Sequence, residues 1–344
     1  AMIKRIQLSL FCCFFLAISL CFSLQAIFWE KYSMPWMTVV VSFVIIPVLD
    51  FFIGKGKSPN LSCFGSFSGW VPRLYFIIHF IILIFYLYRA GFYSLYEIPV
   101  LGLALGTIAG AFGITVAHEL MHKKNKIDKK FAKLILCSVC YGHFFTEHLK
   151  GHHARVATTD DPATAKKNQN LYSFFWQSIS GSFIHALRLE KSRLNSKNLP
   201  QFTLKNEVLF CHCLSGIFML IVFYSFGVNA LMLFLFQSIV AIILLETTNY
   251  IEHYGLARKR KQAKGYVTVD TMHSWNSDHL ISNWILLHLP LHSDHHKNMG
   301  KSFNELRSIE NAPQLPFGYP AMIILAFFPF IYISLMNEIL EYYE

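Results

Sequence analysis

The sequence predicts an all-α integral membrane protein in which six transmembrane helices carry a histidine-rich, dimetal site at their cytoplasmic ends. Three observations predict it. The 344 residues are 54% hydrophobic and include 33 phenylalanines, above the apolar share usual for soluble domains. Apolar runs of spanning length recur along the chain, and in lipid the backbone is satisfied within such runs by helix formation. Sixteen histidines are present, most of them in four tight groups.

The runs lie near 8–29, 36–54, 74–88, 98–117, 208–226 and 228–250. Lys4 and Arg5 ahead of the first give it the look of a signal peptide, but Leu8 to Trp29 is 22 uncharged residues. That is longer than a usual signal core and reads as an uncleaved span. The 74–88 run is short, and Arg73 and Arg89 at its flanks are expected to snorkel to the interfaces. Runs at 281–291 and 317–335 do not read as spans: the first is too short, and the second carries Pro320 and Pro329. Both are expected at the interface or packed into the cytoplasmic part.

Threading the chain with Lys4 and Arg5 inside puts Lys55, Lys57, Arg73, the lysines of 123–130, the 149–207 segment and the cluster of 258–264 on the same side. The opposite loops near 30–35 and 90–97 carry only Lys31 and Arg89, so the positive-inside rule places the histidines on the cytoplasmic side. The chain reads as a single domain, 1–344, with catalytic segments 118–207 and 251–344.

Thirty Lys and Arg against 20 Asp and Glu give a net charge of +10, which marks loops beside anionic lipid. No basic stretch has the motif context of nucleic-acid binding. The eight cysteines lie mostly inside apolar runs, as packing residues do. Cys137 and Cys140 have redox or zinc spacing, but no second such pair exists, so they too read as packing.

The first histidine group is His118 and His122, four apart at the cytoplasmic end of the fourth span. On a helix that spacing puts both rings on one face, about 40° apart. His148 and His152 repeat it, with His153 adjacent and aimed elsewhere on an ideal helix. His253 ends the sixth span in "NYIEHYGL", and "HSDHH" places His292, His295 and His296 within a narrow arc. Nine imidazoles are too many for one metal and enough for two of four or five ligands each. Imidazole suits zinc, copper, iron and nickel alike, so ligand type does not name the ion.

His79, His185, His212 and His288 read as core histidines bonded to neighbours. Metal-bound imidazoles usually donate their other N–H to a carboxylate or carbonyl, and Glu119, Glu147, Asn249, Glu252, Asp160, Asp161, Asp278 and Asp294 lie beside the groups. Glu246, seven residues before His253, shares its helix face, and an acid near a span is seldom without a partner. His118-Glu119-Leu-Met-His122 is formally the HExxH of zinc proteases, a reading that leaves seven clustered histidines unused.

Six stretches in order, "HELMHK", "EHLKGHH", "VATTDDPA", "NYIEHYGL", "HSWNSDH" and "HSDHH", resemble the membrane alkane 1-monooxygenase family of non-haem diiron ω-hydroxylases over about residues 95–330. Fatty acyl desaturases and hydroxylases share the idea of three histidine boxes but with a different last box. The resemblance implies six membrane helices and two irons held by the nine histidines, with His253 set apart because it comes from a different element. It implies hydroxylation of the terminal methyl of an alkane with O2 as co-substrate, and electrons from a separate rubredoxin and its NAD(P)H-dependent reductase. His273 and His279 match a motif near that site and are expected in supporting roles. An acyl lipid as substrate is the alternative. The chain departs from the family at Pro290 and Leu291, where a Gln-Arg pair is usual, and at Thr159-Asp160, where Pro-Glu is commoner.

Overall fold

A computed structural model describes Phe15 and residues 36–56, 69–261 and 265–343. Among the described residues the regular elements are all helical, joined by turns and three isolated β-bridges. In chain order they are α1 (Trp36–Ile53), α2 (Trp70–Ala90), α3 (Ile98–Met121), α4 (Lys126–Ser138), α5 (Phe144–Glu147), α6 (Leu171–Asn195), α7 (Glu207–Phe226), α8 (Val228–His253), α9 (Leu280–Ile285), α10 (His292–Lys297), α11 (Tyr319–Ala326) and α12 (Pro329–Leu340). Five of them, α1, α2, α3, α7 and α8, are long and apolar enough to cross a membrane. The run at 8–29 lies outside the described residues apart from Phe15, which is buried against Tyr75 of α2 and Phe112 of α3.

Small residues set the closest helix contact. Gly102, Gly106 and Gly110 form a stripe on α3 facing Phe236, Val240 and Leu244 of α8, and a Cβ on Gly106 would lie 2.7 Å from the Gln237 carbonyl oxygen. Without lipid-excluding water to drive association, such stripes let membrane helices gain packing by backbone approach. α2 outruns its apolar stretch at both ends, and Arg73 does not snorkel: its Nε and a terminal nitrogen donate to Asp128 of α4 at 2.6 and 2.9 Å. That fork pins the start of α2 to α4.

The segment 281–291 divides into α9 and a tight turn. Leu287 and His288 there take φ of 48° and 58°, a left-handed conformation costly for bulky residues. It is held because the His288 N–H donates to Asn283 O at 2.8 Å and its ring meets Phe303 O at 2.9 Å. The 317–335 run breaks into α11 and α12 ahead of Pro329, and Tyr319, Met322 and Tyr332 bury it in the same core as Tyr250 and Tyr254.

Asp50, counted inside an apolar run, caps α9. One carboxylate oxygen accepts the N–H groups of Ile281 and Ser282 at 3.0 and 3.1 Å, and the other accepts the Ser282 hydroxyl. Just beyond, Gly56 N–H donates to Asp278 O and Leu280 N–H to Gly54 O, so α1 holds the segment that leads into α10. Asp50→Ala is expected to cost about 1–3 kcal/mol. Asp50→Asn should recover part of that, because its amide oxygen still accepts both N–H groups; thermal melts of the purified protein decide.

Candidate metal centre

Four elements meet at one end of the bundle, each delivering one histidine group. His118 and His122 stand at the C-terminal end of α3. After α5 the backbone widens into a π-helix, His148–His152, followed by one turn, His153–Arg155. His253 closes α8, and α10 carries His292, His295 and His296.

The nine rings sort into two sets. His118, His122, His148, His153 and His295 form one, and His152, His253, His292 and His296 the other, with ligand atoms inside each set no more than 4.8 Å apart. The expected pairing of His148 with His152 is therefore corrected. The wider π turn brings position i+5 onto the face of position i, so His153 Nε2 lies 3.0 Å from His148 Nε2, and His152 faces His296 at 3.3 Å. "HSDHH" divides likewise: His292 and His296 meet at 2.9 Å, while His295 meets His153 at 3.2 Å. His253 joins the second set through His292 at 3.3 Å.

These distances suit metal ions. Metal–nitrogen bonds of about 2.0–2.1 Å at angles of about 90–110° separate ligand nitrogens by about 2.9–3.4 Å. The alternative, mutual hydrogen bonding, leaves the buried Nε2 atoms of His118 and His122 with no partner. Burial, aided by Lys123 and Lys129, drives the His122 ring down to about 3. Burial also holds His148, His153, His292, His295 and His296 well below the usual imidazole range. All are neutral near pH 7, the form that coordinates. Below the ordinary value of 6.5 the unfolded chain takes up protons that the folded rings refuse. Metal-free protein is therefore expected to lose stability as pH falls from 6.5, seen in melts run between pH 8 and 5.

Residues 94–326, which carry all nine histidines, match the family model described as fatty acid desaturase. The chain is 36% identical to alkane 1-monooxygenase 2 of Pseudomonas aeruginosa, over 90% of this chain and 85% of that one. It is 35% identical to alkane 1-monooxygenase 2 of Alcanivorax borkumensis, over 90% and 84%.

The chain belongs to the alkane 1-monooxygenase family.

In this alkane 1-monooxygenase family member the carboxylates divide by what they touch. Among the described carboxylates, Asp161 orients a clustered imidazole from behind: its Oδ2 lies 2.9 Å from His152 Nδ1 and also accepts the Thr164 hydroxyl at 2.6 Å. Burial opposes charge on both partners, yet their pairing leaves Asp161 below and His152 above its ordinary value. The contact fixes the tautomer that turns Nε2 toward His296. Asp161→Asn is expected to cost about 10–100-fold in metal affinity, measured by titration of the metal-free protein.

Glu252 also reaches the site, with one oxygen 3.2 Å from His292 Nε2 and the other accepting Tyr319 OH at 2.9 Å. Glu246 does not face His253. It accepts Tyr141 OH at 2.6 Å, the Ser178 hydroxyl and Asn249 Nδ2 at 3.1 Å, and so ties α6 to α8. Asp294 turns outward to Lys301, Asn298 and the Arg307 N–H, fixing the loop after α10. Glu119 is engaged by Lys123 and the Phe303 N–H, so its carboxylate ties α3 to the loop after α10 instead of facing the two histidines as a protease base would.

Outside the two sets, His79 bonds Ser138 at 2.9 Å, His279 bonds Ser277 at 2.9 Å, and His273 Nδ1 accepts the Asp270 N–H at 3.0 Å. His185 reaches Glu147 at 3.1 Å, and His143, a ring the spacing argument passes over, stacks on His212 with centroids 5.4 Å apart. Cys137 Sγ meets the Cys211 carbonyl at 3.4 Å, packing α4 on α7. Leu291, one of the departures from the family pattern, is buried at 1% exposure, so no charge is offered there.

Proposed function

We propose that this chain is a diiron monooxygenase that hydroxylates the terminal methyl of medium- to long-chain alkanes, with each histidine set holding one iron. The observation that carries the reading is an apolar cavity meeting the histidines. A narrow apolar cavity lies between α1, α3, α8, α9 and α11, lined by Phe43, Ile46, Phe112, Leu244 and Ile323 among others. A second is lined by His118, His148 and His292. The two share Gly110, Thr115, Thr248 and Leu289, a neck that leads a slender chain end toward the imidazoles.

An unactivated methyl offers no acid, base or leaving group, so iron bound here supplies the oxygen activation that side chains lack. The chain's own residues do the rest. The apolar walls bind the alkyl chain without desolvating a polar group, the neck presents its end, and the buried rings keep water from the reacting carbon. One O2, two electrons and two protons convert the methyl to a primary alcohol and one water. In this reading the electrons come from a separate rubredoxin and an NAD(P)H-dependent reductase. The six-span topology, with 8–29 as the first, puts the nine histidines on the cytoplasmic side of an inner membrane, and basic residues at that end of the bundle support it. Residues 1–344 act as one hydroxylase domain.

The match to the fatty acid desaturase model supports one second reading, oxidation of an acyl lipid. Purified protein supplied with rubredoxin, reductase, NADH and a mixture of alkanes and fatty acids separates the two by mass spectrometry of the products. Iron bound with 1-alkanol formed is the expected result. Zinc in place of iron, with no oxygen uptake on any substrate, overturns the proposal.

A further inference from the structure

α6 carries large apolar residues on both of its faces. Its inward face buries Leu171, Phe174, Ala186 and Leu194 together with Ser178, Ser182 and Glu190: Ser178 donates to Glu246, and Glu190 accepts Arg193 and Lys150. Its outward face shows Tyr172 at 53%, Trp176 at 81%, Phe183 at 37% and Ile184 at 45% exposure. Large apolar residues grouped on an exposed face call for a covering surface.

The helix also lies flat. Near its start, Tyr250 of α8 donates to the Gln169 carbonyl at 2.6 Å; near its end, the Glu207 N–H of α7 donates to Glu190 at 3.1 Å and Arg193 to Lys205 O at 2.6 Å. Tyr250 is in the last turns of α8 and Glu207 opens α7. These helices run in opposite directions across the turn at Gly227, so both contacts sit at one end of the bundle. A helix of 25 residues, about 37 Å long, thus stretches along that end, at the level where the spans leave the membrane. Tyr172 OH donates to Phe327 O at 3.0 Å, which joins the stripe to exposed Phe328, Phe330 and Ile331 at the start of α12. Exposed Lys166 precedes the helix, and Arg188, Lys191 and Lys197 flank its far half.

We infer that α6 and the start of α12 form an in-plane surface seated in the lipid interface, beyond the five spans. Tyr and Trp favour that boundary, and the basic flank meets anionic headgroups. The inference rests on the apolar helices crossing a bilayer and is independent of the reaction. Its consequence is that lipid braces the helix whose Ser178 and His185 hold Glu246 and Glu147 beneath the histidines.

Bromine on lipid acyl chains quenches tryptophan only on contact. With protein in vesicles of brominated and of ordinary phosphatidylcholine, the emission of wild type minus Trp176→Phe isolates Trp176 among the six tryptophans. That difference emission is expected to be blue-shifted and to fall by about half or more in brominated vesicles. Quenching by aqueous iodide instead, or by neither agent, as a second copy seated on the stripe would give, overturns the inference. Bound metal and melting temperature check that the variant folds. If it does not, Tyr172→Trp, read as the gain over wild type, reports the same surface with the same expected and overturning results.

Discussion

His153→Ala takes turnover down by more than about 100-fold and releases metal from both positions. Its Nε2 lies 3.0 Å from that of His148 and 3.2 Å from that of His295, on the side of the five-ring set that faces the other. The same ring stands 4.6 Å from His296 of the other set, so its loss opens the wall between them. Metal removal from the neighbouring set distinguishes this ring from His118, whose ring contacts stay within its own set. His212→Ala is the control: a ring outside both sets, it should leave metal content unchanged. Metal analysis and product formation on both variants settle the matter, and full metal with retained activity in His153→Ala would remove that residue from the site.

Gly106→Val should leave little folded protein in the membrane. A β-carbon there lies 2.5 Å from Val240 Cβ and 2.7 Å from a backbone carbonyl oxygen, and a backbone obstacle cannot rotate away. Overpacking typically costs about 1–3 kcal/mol, and a backbone obstacle at this closeness puts Gly106→Val at the upper end. Because α3 and α8 carry His118, His122 and His253, separation of the two also scatters ligands. Gly216 of α7 has nothing within 4 Å of a built Cβ, so Gly216→Ala should cost nothing in the same detergent melts; equal loss in both variants would show that the close contact at Gly106 is not the cause.

The sequence reading and the structure part company where local spacing competes with tertiary context. His148 and His152 look like partners only on an α-helix, and the π-helix at His148–His152 separates them. Asp50 was hidden by averaging within an apolar run, although a lone acid at that depth already signals a partner; the partner, the α9 N-terminus, is more than 200 residues away. Glu246 was expected to face His253 because both lie on α8, and Tyr141 and Ser178 from other elements captured it instead. The long helix α6 has no clear apolar stretch because its buried face mixes Leu171, Phe174 and Leu194 with Ser178, Ser182 and Glu190, a pattern legible only once its neighbours are placed.

By itself the sequence determined that the chain is helical and apolar enough for a membrane, and that nine histidines in four groups converge on metal chemistry, since periodicity and residue type are local properties. Only the tertiary structure decided how nine rings divide into sets of five and four, that Asp161 rather than Glu246 orients an imidazole, and where the apolar cavity meets the site. Those depend on distances between elements far apart in the chain, which helix packing sets and local spacing does not encode.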